Sequence, residues 1–145
     1  ILPVSFVAGS KEVINTLTPG SEGSTFGGYP LASVVGVYAI KTLVDLNLAE
    51  NAKIRGEQLM NHFNDIKDDF PDKIKEVRGK GLLTAFEMHN HKHLDGHEVS
   101  VELLNQGVYA KETHHSTVRF APALTIKAWQ IDDMAEKLRN VIKEL

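Results

Sequence analysis

From Ile131 to the end of the chain, apolar residues fall at Ile131, Met134, Ala135, Leu138, Val141, Ile142 and Leu145. This three- and four-residue rhythm predicts an amphipathic helix. A second stripe, Ala52, Gly56, Leu59, Phe63, Ile66 and Phe70, has charges opposite it and predicts a helix over Leu48–Asp69, with Pro71 ending it. Leu31, Val34, Val35, Tyr38, Thr42, Leu43 and Leu46 predict a third helix over Leu31–Leu46. Its first half is apolar nearly all round, which predicts burial on most sides. Pro30 suits its first turn, where the missing N–H costs nothing. A shorter helix is expected over Glu98–Asn105, stopped by Gly107, and a short helix or turn over Lys11–Leu17.

The β-type signals are shorter. Leu2–Gly9 is an apolar run closed by glycine and predicts a strand. Ile74–Arg78 and Leu82–Met88 predict two strands, or one interrupted by Gly79-Lys80-Gly81. Val108–Lys111 and Thr117–Phe120 predict another pair around the turn Thr113-His114-His115-Ser116. Strands mixed with helices and joined by short connections give an α+β reading, and no repeat or low-complexity segment interrupts it.

Composition narrows the function classes. The 145 residues carry 16 Lys+Arg against 19 Asp+Glu, with both signs scattered, which argues against a nucleic-acid binder with a basic face. There is no cysteine, so a disulfide framework, thiol catalysis and Cys-ligated zinc are all excluded within the chain. No apolar run approaches the roughly 18–20 residues of a membrane-spanning helix. The opening Ile1-Leu2-Pro3-Val4 reads like the middle of a domain.

Three features could carry chemistry. Gly23-Ser24-Thr25-Phe26-Gly27-Gly28-Tyr29-Pro30 places two hydroxyls and freed backbone N–H groups at the mouth of a helix, which suits a phosphate or other anion. The same pattern suits an ordinary connecting loop, and neither a Walker lysine nor the dinucleotide fingerprint spacing accompanies it. Arg119, between Val118 and Phe120, is expected to emerge from a mostly buried setting, where it could grip a carboxylate at two points or form a structural ion pair. His89, His91, His93 and His97, followed by His114-His115, could hold a metal ion. The polarity of the stretch favours a solvated loop instead, and no metal site is expected. No nucleophile–base pair is visible around Ser5, Ser24, Thr25 or Ser33.

Taken in order, Pro3-Val4-Ser5, Pro19-Gly20 to Pro30 and Asn47-Leu48-Ala49-Glu50-Asn51-Ala52 resemble the class III, pyridoxal-phosphate-dependent aminotransferases of fold type I. So do Val77-Arg78-Gly79-Lys80-Gly81-Leu82-Leu83, Ala110-Lys111-Glu112-Thr113-His114 and Val118-Arg119-Phe120-Ala121-Pro122. The last two segments are similar to the ornithine aminotransferase branch. Tyr29, where relatives commonly have Asn, and Ala123, where a second Pro is usual, depart from the pattern.

The resemblance implies a C-terminal part of the fold: residues 1–47 as the end of the large cofactor-binding domain, residues 48–145 as the small α+β domain. It implies that Thr25, with Ser24 in the same loop, reaches the phosphate of pyridoxal 5′-phosphate in the partner subunit of a homodimer. It implies that Arg119 holds a substrate carboxylate, or pairs with a glutamate when none is bound. The Schiff-base lysine would lie upstream of Ile1, leaving no catalytic residue in the chain. The implied reaction moves the δ-amino group of L-ornithine to 2-oxoglutarate, with acetylornithine or 4-aminobutyrate as rival amine donors. For the chain alone, the rival is a non-catalytic module. A cytoplasmic location is implied for a bacterial protein and the mitochondrial matrix for a eukaryotic one.

Overall fold

The structure is a computed structural model and describes residues 2–89 and 95–145. The chain divides into two compact units, Ile1–Asn47 and Leu48–Leu145. The first contains α1 (Lys11–Ile14) and α2 (Pro30–Asp45). Its opening segment is extended but not a strand, because among the described residues no neighbouring strand takes up its N–H and C=O groups. Val4, Ser5 and Phe6 instead lie along α2 at Ser33, Gly36 and Val37. The expected burial of α2 is not met either. Ala32 alone is buried, while Leu31, Val34, Val37 and Ile40 stand exposed. The physical reason is that a unit of two helices, one of them a single turn, has no second apolar face to lay over a helix that is apolar on most sides.

The second unit runs α3 (Leu48–Asp69), β1 (Ile74–Lys80), β2 (Leu83–Met88), α4 (Gly96–Asn105), β3 (Lys111–Thr113), β4 (Thr117–Phe120) and α5 (Ala128–Glu144). Its strands form an antiparallel sheet in the order β1-β2-β4-β3, with α3 and α4 packed against the strands and α5 packed against both of these helices. The predicted stripes are the buried ones: Gly56, Leu59, Phe63 and Ile66 of α3, and Ile131, Met134, Ala135, Leu138, Val141 and Ile142 of α5. Phe63 sits edge-on to Phe86 of β2 and Phe120 of β4, with ring centroids 5.2 and 5.1 Å away. Such pairs contribute about 0.5–1.5 kcal/mol each beyond area burial, so α3 holds the two central strands together. On the surface, His62 of α3 meets Asp132 of α5 at 2.8 Å, and Arg139 pairs with Asp69.

The strand predicted at Val108–Lys111 starts later, at Lys111. Gly107 turns the chain with φ +80°, and the Val108 N–H donates to the Leu103 carbonyl, so these residues finish α4 rather than begin a ladder. Asp95 caps the other end of that helix by accepting from the Glu98 N–H at 2.8 Å.

β1 and β2 are joined by the two-residue turn Gly81-Leu82, since Lys80 pairs with Leu83. Gly81 has φ +56°, as the first central position of a II′ turn requires. Gly56 of α3 lies directly against this turn: a β-carbon on it would stand 2.3 Å from the Gly81 carbonyl oxygen. Gly56→Ala therefore sets two effects against each other. Helix propensity gains about 1 kcal/mol, while overpacking against backbone that cannot rotate away costs about 1–3 kcal/mol or more. The expected outcome in urea unfolding is a net loss of up to about 2 kcal/mol. A more stable variant would show that the hairpin can retreat from the helix.

Candidate functional site

Arg119 occupies the third position of β4, where the burial order is buried, buried, exposed, buried. Val118 and Phe120 point into the core, so the strand pleat turns Arg119 to the outer face of the sheet. The expected mostly buried setting is thus corrected: the flanking apolar residues belong to the opposite face. The register aligns Arg78 of β1, Ala85 of β2, Arg119 of β4 and Lys111 of β3 in one row across that face. Among the described residues, the Arg119 side chain makes no hydrogen bond or ion pair, so the structural ion pair weighed for it is not formed with any of them.

The acid that could have neutralised Arg119 is occupied. Glu87 lies on the same face of β2, opposite Thr117 and so diagonal to Arg119. Lys75 Nζ donates to its Oε1 and Arg78 Nη1 to its Oε2, each at 2.6 Å. The Glu87 side chain is only 16% exposed in this clasp. Neither Glu87 nor its two cations was singled out from the sequence. The only signal there was period-two alternation, which puts Ala85 and Glu87 together on one face of β2.

In the first unit, Ser24-Thr25-Phe26-Gly27 forms a tight turn, with the Gly27 N–H donating to the Ser24 carbonyl at 3.1 Å. The Tyr29 N–H then donates to the Phe26 carbonyl, and α2 begins at Pro30. Nearby hydroxyls are spent on backbone: Ser21 donates to the Thr18 carbonyl and Thr16 to the Val13 carbonyl, each at 2.7 Å. The exposed Ser24 and Thr25 hydroxyls make no such bond among the described residues. Tyr29, at the cap position, offers no side-chain hydrogen bond to the helix N–H groups. Two free hydroxyls beside an uncapped helix start fit an anionic group such as a phosphate. Ser24 and Thr25 belong to the first unit and Arg119 to the second.

His91 and His93 lie outside the described residues. His97 meets Glu112 at 3.4 Å, and His114 and His115 form the exposed β3–β4 turn with φ +54° and +61°. Among the described residues, no three His, Asp or Glu side chains gather as a cation site, and no single helix is long and apolar enough to cross a membrane.

Comparison with known proteins places this geometry in a family. Residues 2–142 match the class III aminotransferase family. The chain belongs to the class III aminotransferases, and it has the fold of that part of those pyridoxal-phosphate enzymes. It is 39% identical over 145 residues to the mitochondrial ornithine aminotransferase of Arabidopsis thaliana, covering 99% of this chain and 30% of that protein. It is 40% identical over 141 residues to the ornithine aminotransferase of Staphylococcus carnosus, covering 97% of this chain and 34% of that protein. Among solved structures, the ornithine aminotransferase of Plasmodium yoelii superposes with a TM-score of 0.84 at 31% identity, covering 92% of this chain and 35% of that one. The chain thus spans about a third of the length of these relatives.

Glu87 gives the outer face an acid-sensitive component. The hydrogen bonds from Lys75 and then Arg78 hold its carboxyl below the ordinary 4.5, against a smaller opposing contribution from burial. A carboxyl whose folded-state value is depressed contributes stability above its unfolded value and loses it as pH falls through the folded one. In thermal melts from about pH 7 to pH 2, wild type should exceed Glu87→Gln by a constant margin above pH 4.5, and the margin should close below it. A margin that persists in acid would mean that the clasp is held by packing rather than charge.

Proposed function

We propose that the protein carrying this chain is an aminotransferase that moves the δ-amino group of L-ornithine to 2-oxoglutarate, giving glutamate semialdehyde and glutamate. The observation that carries the reading is Arg119: an exposed guanidinium, unpaired among the described residues, in a chain about 40% identical to named ornithine aminotransferases. In this reading residues 1–47 are the end of the large cofactor-binding domain and residues 48–145 the small domain. The apolar side of α2 is covered by the remainder of the full-length protein.

Pyridoxal phosphate, when bound, supplies the aldehyde that accepts the amino group and the electron sink that stabilises negative charge on the substrate carbon. The residues of this chain bind and orient. The Ser24 and Thr25 hydroxyls donate to the cofactor phosphate of the partner subunit, which makes a homodimer the working form. Arg119 holds the α-carboxylate of the acid in the 2-oxoglutarate half-reaction, its planar fork fixing the approach of the reacting carbon. A second reading, acetylornithine as amine donor, draws on the acetylornithine aminotransferase of Elizabethkingia anophelis, which superposes with a TM-score of 0.82 at 32% identity.

Single-turnover kinetics of the two half-reactions test the assignment of Arg119. A charge-assisted two-point contact is worth about 1.5–3 kcal/mol. Arg119→Ala should therefore slow the 2-oxoglutarate half-reaction about 10- to 150-fold and the ornithine half-reaction much less. Arg119→Lys should rescue little, since an ammonium cannot reproduce the fork. Equal losses in both halves, tracking a fall in thermal stability, would make Arg119 structural. Rates with ornithine, acetylornithine and 4-aminobutyrate separate the donors.

A further inference from the structure

A like-charge pair sits across the ladder on the outer face of the sheet. Lys111 of β3 is the direct cross-strand partner of Arg119 on β4, and both are exposed. Opposite residues of an antiparallel pair hold their β-carbons about 4.5–5.5 Å apart, and like charges there are destabilising. The nearby acids do not relieve the repulsion. Glu87 is taken by Lys75 and Arg78, and Glu112, one residue along β3, projects to the other face and meets His97. Neither Lys111 nor Arg119 makes a side-chain hydrogen bond or ion pair among the described residues. On the other side of Arg119 the row continues with Ala85, whose methyl group leaves the space beside the guanidinium open.

We propose that Lys111 and Arg119 form one two-cation seat for a substrate carboxylate, with Lys111 the residue that tightens it for the 2-oxo acid. The division of labour follows from their chemistry. The guanidinium fork engages one lone pair on each carboxylate oxygen, and the ammonium, a point charge on a long stem, engages a lone pair the fork leaves free. Two adjacent cations without a counter-ion also explain why the sheet carries an arrangement that costs it stability: the missing charge is brought by the ligand. The proposal rests on the reading of Arg119 as a substrate contact and adds a second residue to it.

The test uses the protein carrying this chain and glutarate, an unreactive dicarboxylate, with binding followed through the side-chain NMR signals of Lys111 and Arg119. Both signals should move together with one dissociation constant. Lys111→Met should weaken glutarate about 5- to 20-fold, and Lys111→Arg should stay within about threefold. Lys80→Met, on the same face of β1, should bind like wild type. Lys111→Glu should abolish binding while raising the melting midpoint by about 1–2 °C, because it turns the repulsive pair into an attractive one. A merely structural lysine would not give that opposition of stability and binding. Wild-type affinity in Lys111→Met, or glutarate that moves neither signal, overturns the seat. Failures of the two readings are distinguishable. Transamination with an unchanged KM for 2-oxoglutarate in Lys111→Met removes the seat and leaves the reaction. Glutarate binding that depends on Lys111 without transamination removes the reaction and leaves the seat.

Discussion

The pleat of β4, locked by one aromatic residue, decides what the second unit can do. Phe63 packs edge-on against Phe86 and Phe120 at once, so β2 and β4 cannot slip past each other without opening the centre of the core. A slip of one residue would send Val118 and Phe120 into water and Arg119 into the core, where an unpaired guanidinium is very costly. The buried positions thereby place the charged one. Arg119 faces outward because its two neighbours cannot, and the row through Ala85 and Lys111 follows from the same register.

This parity explains where sequence reasoning succeeded and where it failed. The long stripes of α3 and α5 were legible, because periods of three and four sustained over many residues have few other readings. Arg119 was legible as a candidate but its surroundings were misjudged. Val118 and Phe120 look like a buried setting in one dimension, while the two-residue period puts them on the opposite face. Leu2–Gly9 has strand composition, yet a strand exists only with a partner, and composition carries no information about partners. The start of β3 was displaced by the αL residue Gly107, whose stop signal was seen while its continuation through Val108 was not. Sheet order was illegible altogether: β2 and β4 are neighbours although α4 and β3 lie between them in the chain.

The outer face is arranged by how its charges are allotted. Two cations, Lys75 and Arg78, are spent on the shielded acid Glu87, while among the described residues the cross-strand pair Lys111 and Arg119 has no acid, nor does Lys80 of β1. A sheet selected for stability alone would have placed an acid opposite Arg119, gaining a cross-strand pair worth about 0.2–1 kcal/mol. Leaving the pair unneutralised forgoes that gain and adds repulsion. Local rules are broken in this way where binding is the compensation. The pairing of Glu87 helps keep the two cations free, since this acid on the Arg119 diagonal is already satisfied.

The two units hold their candidate residues to different degrees. The outer face of the second unit is fixed by a core of its own, with Phe63, Phe86 and Phe120 fully buried beneath it, so its cations are positioned before any ligand arrives. The Ser24-Thr25 turn has no such support. Its hydroxyls are free because little around them competes, and the helix that follows exposes the apolar residues that would otherwise anchor it. A site must be held to within a fraction of an ångström to favour a reacting geometry, and that precision comes from packed supporting residues. The carboxylate contact proposed for Arg119 is therefore one this unit could position by itself. On the proposed reading, a phosphate contact at Ser24 and Thr25 would acquire its precision only when α2 is packed by other protein, so the apolar surface of α2 would serve that contact as much as the two hydroxyls.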